Sequence, residues 1–163
     1  MTMSELDERT AGATPFRLFE TWFADAQLAE VEMPEAMTLA TASREGRPSA
    51  RMVLLKGFDE GGFVFYTNYK SRKAAELEDN PYAALVFFWA QLEYQVRVEG
   101  TITRTSEEES DKYFQTRPRE SQIGAIASPQ SEVIANRNEL DRRAEELKIL
   151  YADMSIERPA HWG

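Results

Sequence analysis

The chain has 163 residues, 42% hydrophobic and 29% charged, which is one ordinary globular domain's worth and excludes a disordered, collagenous or membrane-embedded chain. It has no cysteine and a single histidine, His161, so disulfide scaffolds, thiol nucleophiles, multi-histidine metal sites and a Ser–His pair in the body of the chain are excluded. The net charge of −9 argues against broad nucleic-acid binding, and the polar, acidic start is no signal peptide. With no apolar run near the ~20 residues that span a bilayer, a soluble cytoplasmic protein is expected.

Residues 1–13 read as a flexible arm and 14–163 as a single domain. Thr14 and Pro15 form a helix start, a hydroxyl cap followed by proline at the first position, and Phe16, Phe19, Phe23 and Ala26 recur at helical spacing. Strands are expected at 36–43, 49–58 and 63–67, joined by turns at 44–48 and 59–62 as an antiparallel meander. Ser71 caps a short helix to Asn80, which Pro81 breaks. Two long strands follow at 82–89 and 92–104. Ser106 and Glu109 have capping-box spacing for a helix to about Gln115. Pro118 starts another short helix, and Ser131 is expected to cap a long one from Glu132 to about Tyr151. Five strands with helices at the ends and in one crossover predict a mainly β, α+β chain: a small antiparallel barrel with helices on it.

Charge is unevenly spread. Residues 44–73 carry Arg44, Arg47, Arg51, Lys56, Lys70, Arg72 and Lys73 against Glu45, Asp59 and Glu60, a net +4, which leaves −13 for the rest of a chain of net −9. Such an island suits a small, highly charged anion such as phosphate, although a solvated strand edge would carry the same lysines and arginines. Within it, Tyr66–Lys73 runs from a strand into a helix start, where free amides and the helix dipole attract anions. It lacks the glycines of a Walker loop. A second cluster holds Tyr113, Arg117 and Ser121 at i, i+4 and i+8, so a roughly helical segment would put a phenol, a guanidinium and a hydroxyl on one side. That is a second candidate phosphate pocket, or an ordinary helix–turn with surface arginines. His161 reads as a packing or surface residue rather than a catalyst, and Glu107–Asp111 as a solvated helix face.

Three stretches resemble the pyridoxine/pyridoxamine 5′-phosphate oxidase family, in the same order, over about residues 16–163. They are Ser49–Pro81, containing Arg51-Met52-Val53-Leu54-Leu55-Lys56 and Phe65-Tyr66-Thr67-Asn68 with Ser71-Arg72-Lys73; Leu92–Gly100; and Lys112–Ser131. The resemblance implies an FMN-binding split β-barrel of Greek-key type, acting as a homodimer with FMN at the interface. It implies FMN contacts from Arg51, Met52, Val53, Leu54, Leu55, Lys56, Tyr66, Thr67, Arg72, Lys73, Gln95, Gln130 and Ser131. It also implies a substrate phosphate held by Lys56, Tyr113, Arg117 and Ser121, no metal, and no side chain acting as a nucleophile. The implied reaction oxidises pyridoxamine or pyridoxine 5′-phosphate to pyridoxal 5′-phosphate by hydride transfer to flavin N5, with O2 as acceptor. A phenazine-type flavin oxidase, or a flavin- or pyridoxal-phosphate-binding module without turnover, are the alternatives. Two departures stand out. Tyr94 replaces the basic residue usual before Gln-Val. The sequence also ends at His161-Trp162-Gly163, where family members continue with the last barrel strands, an Arg-x-His pair and further FMN contacts.

Overall fold

A computed structural model describes residues 11–163, so residues 1–10 of the expected arm lie outside the described residues. The chain sorts into two compact units, each assembled from several stretches. The first comprises residues up to Thr41, Pro48–Phe65 and Tyr82–Thr101; the second comprises Ala42–Arg47, Tyr66–Pro81 and Ile102–Gly163.

The first unit is an antiparallel sheet with one helix. Helix α1, Pro15–Leu28, starts as its sequence dictates: Thr14 is extended, its side chain accepts from the Arg17 amide, and Pro15 fills the first turn. Strands β1 (Ala36–Ala42), β2 (Pro48–Leu54), β5 (Tyr82–Trp89) and β6 (Tyr94–Thr101) form one sheet in the order β2-β1-β5-β6, while β3 (Gly57–Asp59) and β4 (Gly62–Val64) pair only with each other. The expected meander is therefore corrected: β5 returns beside β1, with Leu39 opposite Leu85. The predicted strand 49–58 breaks at Leu55 and Lys56, whose amides turn to the carbonyls of Glu35 and Val64 at 2.9 and 2.8 Å. The predicted strand 92–104 starts late because Ala90–Leu92 is a 3-10 turn closed by Glu93, whose φ of 54° is left-handed.

Period-two burial explains why these strands form one sheet. Met37, Leu39 and Thr41 of β1, and Leu85, Phe87 and Trp89 of β5, are buried, while their neighbours are less so. Phe19 of α1 enters this core edge-on to Phe58, Phe63 and Phe87, with ring centroids 4.8, 4.8 and 5.1 Å away. The Trp89 indole N–H, otherwise an unmet buried donor, reaches the Pro34 carbonyl at 2.9 Å. Tyr94 stacks on Trp22 at 4.3 Å and 14°, so the residue that departs from the family's basic position is spent on packing.

The second unit is helical. It holds α2 (Arg72–Asp79), α3 (Glu107–Thr116), α4 (Arg119–Ala127) and α5 (Arg137–Leu150), with residues of α3, α4 and α5 packed about a core of Phe114, Ile123, Ile156 and Trp162. Ser106 caps α3 as expected, accepting from the Glu109 amide at 3.1 Å. The expected start of the last helix is corrected: Asn136, not Ser131, is its cap, accepting from Glu139 at 3.1 Å. Ser131 has φ 70°, a left-handed conformation that an extended N-cap residue cannot have. Also corrected is the single helical face for Tyr113, Arg117 and Ser121. Helix α3 stops at Thr116 and Arg117 is extended, because the residue before a proline is driven out of the helical region. Among the described residues no helix is long and apolar enough to cross a membrane.

Candidate functional site

The residues singled out from the sequence fall into three groups, one in the first unit and two in the second.

In the first unit, Arg51 of β2 is half-buried and donates to Thr41 Oγ1 at 2.6 Å, Ser49 Oγ at 2.5 Å and the Leu39 carbonyl at 3.3 Å. Its guanidinium is thus oriented by neutral acceptors along the β1–β2 hairpin. Val53 and Leu55 are core side chains, which leaves their main chain as the part a ligand can reach. Met52 and Lys56 are exposed, Leu54 is half-buried, and Gln95 is exposed on β6 opposite Phe88.

In the second unit, Lys73 at the start of α2 is 8% exposed, an expensive place for an ammonium unless its hydrogens are taken up. It donates to Gln130 Oε1 at 2.6 Å, Thr67 Oγ1 at 2.9 Å and Ser71 Oγ at 3.1 Å. Ser71 is the N-cap residue but makes no side-chain cap bond, so the first-turn amides of α2 lack the partner that a cap would supply. Thr67, Ser71, Lys73 and Gln130 therefore come together around a helix N-terminus, a setting that favours an anion. Arg72 is turned along the helix to Glu76 Oε1 at 2.8 Å, with two-thirds of its side chain exposed (67%). Ser131 is exposed beside Gln130.

The third group is built on stacked rings. Tyr66, Tyr113 and Trp162 lie within 6° of parallel, with Tyr66 4.1 Å from Tyr113 and 5.3 Å from Trp162. The Arg117 guanidinium sits over the Trp162 ring at 4.5 Å, and its Nη1 is buried without a hydrogen-bond partner. Burial pushes its pKa down, partly countered by Tyr113. A guanidinium stays charged through such a shift, so the orphaned N–H is a donor awaiting an acceptor. Ser121 is half-buried in the first turn of α4, and Lys56 belongs to the other unit.

Trp162 was not among the residues picked from the sequence. Its signal, an aromatic beside a glycine close to His161, means nothing until the fold lays it on Asn68 as a β-bridge. The Thr67 amide donates to the Gly163 carbonyl at 2.6 Å and the Tyr69 amide to the His161 carbonyl at 2.6 Å. His161 itself is half-buried, with Nε2 3.4 Å from the Ala125 carbonyl.

Tyr66 donates to Glu109 Oε1 at 3.3 Å, and burial, then the Glu109 charge, raises its phenol from 10.0 to about 12. Both effects favour the neutral phenol in the folded state. Its contribution to stability is intact below pH 10 and is lost as pH rises toward about 12. An ultraviolet tyrosinate titration, differenced against Tyr66→Phe, is expected to show this phenol ionising at about 12, above its ordinary 10.0. Glu109→Gln should bring it back toward the ordinary value.

Comparison with known proteins now identifies the family. A family profile described as pyridoxamine 5′-phosphate oxidase matches residues 23–151. Proteins named pyridoxine/pyridoxamine 5′-phosphate oxidase are similar at 57% identity in Rubrobacter xylanophilus and 53% in Trichormus variabilis, each over 99% of this chain and 75% and 76% of their own. Among solved structures, PhzG from Burkholderia lata, in complex with tetrahydrophenazine-1-carboxylic acid, superposes with a TM-score of 0.91 at 29% identity, over 99% of this chain and 80% of that one. A pyridoxamine 5′-phosphate oxidase-related, FMN-binding protein from Nostoc punctiforme gives a TM-score of 0.67 at 17% identity, over 93% and 79%, a likeness of fold. The α+β, split-barrel expectation is met, and with the profile covering most of its length the chain belongs to the pyridoxamine 5′-phosphate oxidase family.

Proposed function

We propose that the protein is an FMN-dependent oxidase that converts pyridoxamine or pyridoxine 5′-phosphate to pyridoxal 5′-phosphate, acting in the cytoplasm as a homodimer. The observation that carries this is Arg117: a cation on an aromatic stack with a buried, unpartnered Nη1 fits an incoming phosphate oxygen. A flavin phosphate fits the second group equally well, since Lys73 and the uncapped amides of α2 offer charge and N–H donors together. FMN, when bound, would supply the redox chemistry, a two-electron oxidation of the substrate with O2 as the final acceptor.

The chain's own residues bind and orient. Thr67, Lys73, Gln130 and Ser131, with Arg72, would hold the flavin phosphate end, and Arg51–Lys56, Tyr66 and Gln95 the rest of the cofactor. Lys56, Tyr113, Arg117 and Ser121 would hold the substrate phosphate. The dimer is supported by the sheet surface that faces away from the α1 core. There Met52, Val86 and Phe88 give the surface apolar side chains, with Thr38 between Met52 and Val86, and Met52 is 61% and Phe88 65% exposed. A monomer in sedimentation that retained stoichiometric FMN would overturn the dimer.

The absorption spectrum of purified protein, followed by a peroxide assay with pyridoxamine 5′-phosphate, tests the whole reading. A bound flavin with peroxide release is expected, and a protein that takes up no FMN would refute it. The likeness to PhzG favours a second reading, oxidation of a carboxylate-bearing ring, which Arg117 would also accept. Turnover of tetrahydrophenazine-1-carboxylic acid in place of pyridoxamine phosphate would select it.

Arg72→Ala is expected to weaken FMN binding roughly tenfold, the low end for a charged hydrogen bond because Arg72 is exposed and shared with Glu76. Arg44→Ala, in the exposed β1–β2 turn, should change it little. Equal losses in a flavin titration would refute the assignment.

A further inference from the structure

We infer that Trp162 is the positioning residue for Arg117: its indole face fixes the guanidinium in the orientation that leaves Nη1 free for the substrate's phosphate. The inference deepens the reading of Arg117 as the anion anchor and rests on it.

Arg117 is an extended residue between two helices, a place where a long side chain ordinarily has many rotamers. What holds it is not an ion pair. Its Cζ lies 4.5 Å above Trp162 and 5.8 Å from Phe114, and Nη1 has no hydrogen-bond partner. A carboxylate in that place would steady the guanidinium but consume the N–H donors and cancel the charge. An aromatic face does neither. Trp162 also lies close to parallel with Tyr66 and Tyr113, so the stack can transmit position as well as attraction.

Trp162 is itself tightly held, as a positioning residue must be. It is 6% exposed, its amide donates to the Pro159 carbonyl at 2.9 Å, and its carbonyl accepts from Arg158 Nη1 at 2.6 Å. The Gly163 amide and carbonyl both bond Thr67, and a Cβ on Gly163 would run into the Tyr69 hydroxyl, which would have to move aside for any larger residue. The same Thr67 accepts from Lys73. The segment His161–Gly163 thus ties the Trp162 ring to the Thr67–Tyr69 stretch, whose Thr67 hydroxyl also meets Lys73.

The test measures pyridoxal 5′-phosphate affinity on FMN-loaded protein for Trp162→Leu and Trp162→Phe, alone and with Arg117→Ala. Trp162→Leu is expected to weaken binding roughly three- to thirtyfold, the range of a cation–π contact. Trp162→Phe, which keeps a weaker ring face, should recover part of it. In the Arg117→Ala background neither change should weaken binding further. In steady-state turnover the loss should appear in KM, with kcat nearly unchanged. A Trp162→Leu protein that keeps its FMN and its affinity would overturn the inference, and so would losses that add to those of Arg117→Ala. Should Trp162→Leu fail to fold, Trp162→Phe decides alone: an affinity loss absent from the Arg117→Ala background supports the role, and no loss, or an additive one, ends it. If Arg117→Ala itself leaves affinity unchanged, the anchor reading fails. If Arg117→Ala weakens binding while Trp162→Leu does not, only the positioning role fails.

Discussion

Arg117→Ala is expected to raise the dissociation constant for pyridoxal 5′-phosphate, or the KM for pyridoxamine 5′-phosphate, roughly ten- to a hundredfold, the worth of a charge-assisted hydrogen bond to phosphate. FMN content should stay nearly unchanged, because Arg117 belongs to the ring stack and not to the Lys73 cluster at the start of α2. Arg117→Lys should recover only part of the loss. An ammonium can supply charge, but not two coplanar N–H donors, and it stacks less well on the Trp162 face. The structure sharpens the expectation drawn from spacing alone. The orphaned Nη1 is buried before any ligand arrives, so the desolvation cost of that donor has already been met in folding. A variant that lost its flavin while keeping pyridoxal phosphate affinity would move Arg117 to the cofactor.

The second large effect concerns the sheet of the first unit. Phe87→Ala should destabilise the fold by about 3–5 kcal/mol, the usual cost of emptying a buried aromatic site. Phe87 is 0% exposed and meets Phe19 edge-on at 5.1 Å and Trp89 at 5.7 Å, so neighbouring rings cannot close the gap without losing their own contacts. Set against a typical stability of about 5–15 kcal/mol, that is about a fifth of the total or more. Urea unfolding should show a lower midpoint with an unchanged slope. Phe88, the next residue, projects from the opposite face of β5 and is 65% exposed, so Phe88→Ala opens no cavity. Comparable losses of intrinsic stability from the two substitutions would mean that the strand's inward and outward faces have been exchanged.

Much of this was legible in the chain because it is local. Thr14-Pro15 at the start of α1, the extent of β5 and the Ser106 cap of α3 depend on neighbours within a turn or on period-two burial. So does the concentration of positive charge in residues 44–73, which is composition. Charge and spacing also pointed to Lys73, Tyr113 and Arg117, and the family resemblance added Gln130. What the chain alone did not decide is which of these residues meet. The Lys73–Gln130 bond joins positions 57 apart, and the Trp162–Asn68 bridge closes over a longer stretch still, beyond any periodic signal. Ser131, the expected cap of the last helix, suits that place by residue type alone. Only the left-handed backbone at Ser131 gives the helix start to Asn136. Spacing put Tyr113, Arg117 and Ser121 on one helical face, but Pro118 forbids that helix, and Arg117 reaches Trp162 as an extended residue instead. The residue types suit an anion; the long-range pairings, which depend on how the whole chain closes, decide which guanidinium donor is left unpartnered.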